Sequence, residues 1–268
     1  LKMDLKRNKL TKPDRQKLIT DKLKEQPALR VSELSQDIGV STETIRRDLD
    51  VLEAQGLISR TYGGAAPALN KEPSFKQREL INAKQYEIIA KACCHYVQNG
   101  EVLILGSSVT TLQVAIRLAA EKKDLCVFTD SYAIASALSS NNTIKVHLAP
   151  GSFNDDESCV YGPETINYFA NIYANKAILG ATGLNQNGVS NVDLEIGETY
   201  KAMARCASET IIVADSSKIS RNAISLYLPW TNVDRLIIDK PPFDESLVVG
   251  LKHGNVEVTI ASESSWSF

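Results

Sequence analysis

The sequence is poor in the side chains from which most catalytic and metal sites are built. Three histidines stand apart, and the five cysteines include no C-x-x-C pair and no histidine at zinc-ligand spacing. No apolar run approaches the roughly 18–20 residues that cross a bilayer. The polar N-terminus, LKMDLKRNKLTKPDR, lacks the apolar centre of a signal peptide. These absences predict a cytoplasmic protein with reduced thiols, no metal site, no cofactor and no membrane association.

Charge is nearly balanced over the whole chain, at −2, but it is unevenly distributed. Residues 1–66 hold 13 Lys and Arg against 10 Asp and Glu, a net of +3, so the remaining residues carry a net of −5. A mildly basic N-terminal region before an acidic body favours nucleic-acid contact at one end of the chain.

Three short helices and a β-hairpin are predicted between Pro13 and Gly64. Ser32 is expected to cap the second helix, and Gly39 to end it, because glycine tolerates the left-handed conformation of a tight turn. Ser41 is expected to cap the third helix. The second and third helices, joined by a short turn, form a helix-turn-helix, and the hairpin that follows is typical of a wing.

The third helix has an apolar stripe at i, i+4 and i+7, formed by Ile45, Leu49 and Leu52. Its other side faces outward, with hydroxyl groups in the first turn and two arginines one turn later. Small polar side chains can reach base edges there, and arginine can bind guanine or a phosphate. The predicted DNA contacts are Ser41, Thr42, Glu43, Thr44, Arg46 and Arg47 in the helix, and Arg60, Tyr62 and Gly63 in the wing.

The stretch VSELSQDIGVSTETIRRDLDVLEAQGLISRTYGGA resembles the signature of the DeoR family of bacterial transcriptional repressors. The resemblance covers the second helix, the recognition helix (TIRRDL) and the wing (GGA). It implies double-stranded operator DNA as a partner. Because two recognition helices enter successive major grooves about 34–36 Å apart, we also expect a homodimer or homotetramer.

The remainder of the chain predicts an α/β domain. A polar stretch with two prolines, over 67–80, is predicted to be a linker. Beyond it, helical stretches alternate with β-branched runs: EVLILG, LCVFTD, IKVHLA, KAILGA, ETIIVAD, RLIID and VEVTIA. This alternation predicts a mostly parallel sheet with helices on both faces. The expected organisation is a winged helix-turn-helix at 1–66, the linker, an α/β effector-binding domain at 81–262 and a loose tail at 263–268.

Hydroxyl groups are concentrated where these predicted strands end, in GSSVTT, FTDS, LAPGSF and VADSSK. Open parallel sheets bind ligands at the carboxyl ends of their strands, and helix N-termini bind anions. The segments are similar to the effector domain of the DeoR family, which implies a fold shared with sugar-phosphate isomerases and a phosphorylated sugar as effector. The contacts that this resemblance implies are Ser107, Ser108, Thr110, Thr111, Asp130, Gly151, Asp193, Glu195 and Lys218.

These loops also depart from the family's usual pattern. Gly106, Ser108 and Val109 stand where the phosphate loop usually has aspartate, glycine and threonine. Asp130 replaces a common asparagine, and Ile196 interrupts a paired-glutamate motif. An unpaired buried polar group costs about 1–3 kcal/mol, so such changes can switch ligand preference. We therefore expect an unusual sugar phosphate or a phosphodiester conjugate as effector.

Two other functions compete with this interpretation. A sugar-phosphate isomerase or deaminase would need a carboxylate base near the sugar carbons, and Asp155, Asp156 and Glu157 form the only acidic cluster near a strand-end loop. A repressor that responds to a partner protein or an apolar ligand would not need the hydroxyl-rich strand ends or Lys218. The recognition helix and the strand-end loops favour a repressor with a sugar-phosphate effector.

Overall fold

Two units, separated after Pro73, each bury a hydrophobic core of their own. The computed structural model describes residues 10–25, 29–54, 58–61, 63–67 and 72–262. No helix within these ranges is long and apolar enough to cross a membrane. The predicted tail at 263–268 lies outside the described residues.

The first unit is a winged helix-turn-helix. Its elements are α1 (Lys12–Glu25), β1 (Leu29–Arg30), α2 (Val31–Ile38), α3 (Thr42–Ala54), β2 (Ile58–Thr61) and β3 (Gly64–Pro67). The strands form one antiparallel sheet in the order β1-β3-β2. The predicted stripe of α3 is confirmed, since Ile45, Leu49 and Leu52 are all buried against α1 and α2.

The ends of α2 confirm one prediction and correct another. Gly39 ends the helix with a φ of 73°, in the left-handed region, as predicted. Ser32 does not cap its start, because the chain passes directly from β1 into the helix at Val31, whose N–H donates to the Gly63 carbonyl at 2.9 Å. Arg30 occupies the N-cap position instead, and its N–H donates to the Glu33 carboxylate at 2.7 Å.

The second unit is built around one parallel sheet. Its helices are α4 (Phe75–Ile81), α5 (Ala83–Cys94), α6 (Val109–Glu121), α7 (Tyr132–Leu138), α8 (Pro163–Phe169), α9 (Leu194–Arg205) and α10 (Glu245–His253). The strands of the large sheet are β4 (Val102–Leu105), β5 (Cys126–Thr129), β6 (Lys145–Leu148), β9 (Ala174–Gly180), β12 (Ala207–Ala214), β14 (Arg235–Ile238) and β15 (Glu257–Ile260). These seven strands are the seven predicted runs, and every pairing between them is parallel.

Both faces of the large sheet are covered, because its strands are apolar on both sides. Leu103 and Leu105 of β4 belong to a core with α5, α6 and α7. Ile104, between them, belongs to a second core with α8, α9 and α10. This is the doubly covered parallel sheet that the alternating sequence pattern predicted.

The strand order places a crevice in the middle of the sheet. The order is β15-β14-β12-β9-β4-β5-β6. From β4 the chain proceeds outward to β5 and β6, whereas from β9 it proceeds the other way to β12, β14 and β15. The loops that follow β4 and β9 therefore diverge, and such a switch point is where open α/β sheets bind ligands.

Two small antiparallel sheets were not predicted. One contains β10 (Gly183–Asn185), β11 (Gly188–Asn191) and β13 (Ser225–Pro229), and the other pairs β7 (Ser152–Asn154) with β8 (Cys159–Tyr161). Their strands have three to five residues and contain Gly, Ser and Asn, which carry little strand signal. The pairing of β11 with β13 also joins segments that are far apart in sequence.

The predicted linker at 67–80 is shorter in the structure. Its second half is α4, which belongs to the second unit and buries Phe75 and Arg78. The Phe75 N–H donates to the Asp156 carbonyl at 2.9 Å, and Arg78 forms an ion pair with Glu157. The polar composition of the segment gave no sign of this helix. The helix is held in place by residues of the β7–β8 turn, which are distant in sequence.

Candidate DNA-binding and effector sites

The recognition helix α3 presents its first turn to solvent. Ser41 caps it as predicted, with its Oγ accepting the Thr44 N–H at 3.2 Å and lying 2.9 Å from Thr44 Oγ1. Thr42 and Glu43 are exposed beside them. Hydroxyl and carboxylate groups near a recognition-helix N-terminus are placed to meet base edges in the major groove.

The two consecutive arginines of α3 differ in their surroundings. Both are exposed, but Arg47 Nε lies 3.2 Å from Glu43 Oε1 in an i,i+4 pair. The Arg46 side chain forms no ion pair or hydrogen bond with any other described residue. Arg46 could therefore contact DNA directly, whereas Arg47 would first have to leave Glu43.

The structure describes two of the three predicted wing contacts, Gly63 and Arg60. Gly63 is exposed at the turn between β2 and β3, with a φ of 82°. Arg60 Nη1 lies 3.5 Å from Asp50 Oδ1, and the Arg60 N–H donates to Glu53 at 3.1 Å, so α3 partly neutralises this side chain. Tyr62 lies outside the described residues.

A buried ion pair holds α3 from within, and the sequence analysis missed it. Asp48 is 1% exposed, and both of its oxygens accept hydrogen bonds from Arg15 of α1, one of them at 3.1 Å. Asp48 lies three residues after Ile45 and four before Leu52, so it shares the buried face of the helix. This spacing is the sequence feature from which a buried aspartate could have been predicted.

The predicted phosphate loop lies at the carboxyl end of β4, beside the crevice. Ser108 caps α6, with its Oγ accepting the Thr111 N–H at 3.0 Å. Thr111 is fully buried, and its hydroxyl donates to the Gly106 carbonyl at 2.6 Å. Ser107 and Thr110 are 5% and 7% exposed. Thr111 therefore shapes the loop, while the Ser108 hydroxyl is only partly buried.

Asp130 lies at the end of β5 and joins this loop through Ser107. Its Oδ2 is 2.9 Å from Ser107 Oγ, which lies 3.3 Å from the Tyr200 hydroxyl of α9. The Tyr200 hydroxyl also donates to the Ser107 carbonyl. Asp130 is 0% exposed, and burial raises the pKa of its carboxyl group to about 7, although the hydrogen bond from Ser107 opposes the shift.

Tyr200 and Cys159 belong to this cluster but were not predicted. Burial, first of all, raises the pKa of the Tyr200 hydroxyl well above its ordinary value, and that of the Cys159 thiol rises for the same main reason. Tyr200 lies four residues after Ile196 on the buried face of α9, so its spacing is that of a core residue. Its position beside Ser107 depends on how α9 packs on the sheet.

The other predicted effector contacts are distributed over the same end of the sheet. Lys218, 8% exposed, lies in a short 3₁₀ turn after β12, which is two strands from β4. Asp193 caps α9 by accepting the N–H groups of Glu195 and Ile196 at 2.9 and 3.0 Å. Glu195 is exposed in the first turn of α9, and Gly151 is exposed between β6 and β7.

Comparison with known proteins assigns both units. Residues 15–70 match the DeoR-like helix-turn-helix domain, and residues 81–240 match the DeoR C-terminal sensor domain. The chain belongs to the DeoR family. It is 30% identical to a protein named "Putative aga operon transcriptional repressor" from Escherichia coli, over 93% of this chain and 94% of that one. It is 27% identical to the lactose phosphotransferase system repressor of Lactococcus lactis, over 86% and 92%.

A third relative is the glycerol-3-phosphate regulon repressor of Escherichia coli, 28% identical over 84% of this chain and 89% of that one. Among solved structures, ribose 5-phosphate isomerase A from Methanocaldococcus jannaschii matches 52% of this chain and 56% of its own, at 16% identity and a TM-score of 0.39.

One departure from the usual DeoR phosphate loop has a direct structural cause. At Gly106, where the family usually has aspartate, a Cβ atom would lie 2.9 Å from both Leu179 and the Tyr200 ring. Tyr200 thus occupies the space that a side chain at Gly106 would need. A carboxyl group is nevertheless present beside the next residue, because Asp130 hydrogen-bonds to Ser107.

Proposed function

We propose that this DeoR-family chain represses a carbohydrate uptake or catabolism operon, and that a phosphorylated sugar or sugar-phosphate conjugate controls its affinity for operator DNA. The observation that carries the proposal is the hydroxyl-lined turn from Ser107 to Thr111. It begins a 13-residue helix at the crevice between β4 and β9. Backbone N–H groups and the helix dipole favour an anion at such a position.

The named relatives support a carbohydrate-related role. Their names refer to the aga operon, the lactose phosphotransferase system and the glycerol-3-phosphate regulon. Each of the three is called a repressor, and each matches more than four-fifths of this chain. We extend the repressor function to this chain, but leave the identity of its sugar phosphate open because its effector loops are altered.

For operator recognition, α3 is the element that enters the major groove, with Thr42 and Arg46 directed at the DNA. One recognition helix covers too few base pairs for an operator-length site, so two copies of the chain bind half-sites about one helical turn apart. This requires a homodimer or homotetramer. The partner in this proposal is double-stranded DNA, and the wing contributes Gly63 and Arg60 beside the groove.

For coupling between effector and DNA, α4 is the structural candidate. It follows the boundary between the units and contacts two loops at the ligand end of the sheet. Arg78 binds Glu157 in the β7–β8 turn, and Asn82 Nδ2, directly after α4, donates to Asp215 Oδ1 at 3.2 Å. Asp215 precedes the turn that contains Lys218. Movement of either loop on effector binding would therefore move α4 and the chain that leads to the winged helix.

An isomerase or deaminase remains the alternative function, and the contacts of the acidic cluster speak against it. Glu157 is engaged by Arg78, and the Asp156 carbonyl accepts the Phe75 N–H. These residues anchor α4, so their arrangement is that of a structural turn. The named relatives are regulators, which also favours a non-enzymatic sensor.

A thermal-shift screen tests the proposal. The full-length protein is heated with a panel of pentose, hexose and triose phosphates, each paired with its unphosphorylated sugar. Binding to the native state should raise the midpoint for one or more phosphates and for none of the free sugars. Equal stabilisation by a free sugar would refute the phosphate site, and turnover of any panel member would identify an enzyme.

A further inference from the structure

The Asp130 carboxyl group is buried with only one of its oxygens satisfied. Oδ2 meets Ser107 Oγ at 2.9 Å, whereas Oδ1 has no hydrogen-bond partner among the described residues. The ion pairs formed within the described ranges do not include Asp130 either. A carboxylate in this position would be a buried charge with one side-chain hydrogen bond and weak help from the backbone N–H groups of Ser107 and Asp130, and the cost of removing it from water outweighs all three.

Among the described residues, no cation contributes to the shift in the pKa of this carboxyl group. Its titratable neighbours are Tyr200 of α9 and Cys159 of β8, and α7, which follows Asp130 directly, has only the exposed Tyr132. Beyond them, the carboxylates of Glu157 and Asp193 raise the pKa of the Cys159 thiol. Each of these groups is neutral or acidic, so none of them stabilises a negative Asp130.

The Ser107 hydroxyl has one proton to donate. Two acceptors compete for it: the Asp130 carboxylate and an anion bound in the crevice. If Asp130 is ionised, Ser107 must donate to Oδ2 and turns only its lone pairs toward an anion in the crevice. If Asp130 carries a proton on Oδ2, that proton is donated to Ser107 Oγ. The Ser107 proton is then free for Tyr200, 3.3 Å away, or for a bound anion.

We propose that Asp130 is a positioning residue that is protonated in the effector-bound protein, so that binding of the anionic effector is coupled to uptake of one proton. This inference rests on the proposed phosphate site at Ser107–Thr111. The coupling has two causes: the neutral acid releases the Ser107 hydroxyl as a donor, and it removes a negative charge beside the incoming phosphate. Burial raises the pKa of the Asp130 carboxyl group to about 7, so this proton uptake takes place near neutral pH.

Calorimetric titration with inorganic sulfate tests the inference. Sulfate stays dianionic between about pH 6 and 9, whereas a phosphate ester loses its second proton near pH 6 and would add its own titration. For the wild-type protein, the dissociation constant for sulfate should rise by up to tenfold per pH unit above about pH 7. Asp130→Asn should keep the affinity of the low-pH form and show no such rise, because the amide donates to Ser107 at every pH.

A second measurement needs no variant. At pH 8, the binding heat of the wild-type protein in two buffers of different ionisation enthalpy gives the number of protons taken up, which should approach one per anion bound. Asp155→Asn, the same chemical change at an exposed position in the β7–β8 turn, should retain the wild-type pH profile and proton uptake.

The outcomes separate the two proposals. If sulfate and sugar phosphates bind but neither the pH profile nor proton uptake depends on Asp130, the inference is wrong and the phosphate site stands. If neither sulfate nor any sugar phosphate binds at any pH, the phosphate site itself is wrong, and the inference falls with it.

Discussion

Arg78 of α4 and Glu157 of the β7–β8 turn form a two-point ion pair, with Nη1 3.0 Å from Oε1 and Nη2 2.5 Å from Oε2. Both side chains are largely buried, at 10% and 20% exposure. The pair ties the first helix of the sensor unit to a loop at the ligand end of the sheet. Its parallel, bidentate geometry is the strong form of the arginine–carboxylate contact.

Breaking this pair should weaken the effector response. Glu157→Gln removes the charge but keeps the shape, and we expect it to destabilise the sensor unit by about 1.5–3 kcal/mol. Operator affinity without effector should be unchanged, while the change in affinity at saturating effector should shrink. Fluorescence anisotropy with labelled operator measures both, and Asp155→Asn is the matched control. A full response in the Glu157→Gln protein would exclude α4 as the connection.

Arg46 should contribute to operator binding more than other exposed basic residues. Arg46→Ala should weaken binding by about 1–3 kcal/mol if the side chain reads a base, at every effector concentration. Lys123→Ala removes an exposed charge from the sensor unit instead and should leave affinity within a factor of about two. Gel-shift titration checks both variants, and unaltered binding by Arg46→Ala would show that this face of α3 does not meet DNA.

Lys218 should be needed for the response and not for DNA binding. Lys218→Ala should weaken effector binding by about 1.5–3 kcal/mol, the contribution of a hydrogen bond to a charged group. Operator affinity in the absence of effector serves as the internal control. Normal operator release at ordinary effector concentrations would remove Lys218 from the proposed site.

Breaking the buried pair between Arg15 and Asp48 should destabilise the winged helix more than breaking an exposed pair. Asp48→Asn leaves the Arg15 guanidinium, 14% exposed, without its counter-charge, and should destabilise the unit by about 3 kcal/mol. Asp50→Asn changes a carboxylate two residues along that is 68% exposed and pairs loosely with Arg60, so its effect should stay below about 1 kcal/mol. Urea unfolding followed by circular dichroism compares the two, and equal losses would contradict the buried role of Asp48.

Asp130 should make the sensor unit less stable as pH rises. The folded protein holds its carboxyl proton up to about pH 7, whereas an exposed aspartate releases it near the ordinary value of 3.8. Between these values the folded state binds more protons, so the free energy of unfolding falls with pH, by on the order of 4 kcal/mol across the window. The difference in stability between wild type and Asp130→Asn, measured by urea unfolding at pH 5 and pH 8, should show the part of this loss that falls above pH 5, about 3 kcal/mol. A constant difference would mean that Asp130 is not protonated in the folded state.

The predictable parts of this protein are those whose signal is local. The turn at Gly39, the cap at Ser41 and the stripe of α3 each follow from residues within a few positions of one another, and the structure confirms all three. The seven strands were predicted for a similar reason, because a strand buried on both faces is a continuous apolar run. The assignment of individual DNA and effector contacts remains a prediction.

The parts that were missed depend on partners that are distant in sequence. Helix α4 lies in a segment with linker composition, and Glu157, 79 residues from Arg78, holds it in place. Tyr200 has the spacing of a core residue, yet its hydroxyl reaches Ser107, 93 residues away. No local pattern encodes such contacts, because they arise only after the sheet has brought the elements together.

Patterns among neighbouring residues therefore predicted a helix-turn-helix with a recognition helix, and a parallel α/β sensor with hydroxyl groups at its strand ends. Periodicity and turn chemistry are properties of neighbouring residues, and they suffice for that much. The organisation of the sensor site, in contrast, follows from the packing of elements that are far apart in the chain. Asp130 is buried beside Ser107, and because a charge there would be removed from water, the pKa of its carboxyl group is raised to about 7.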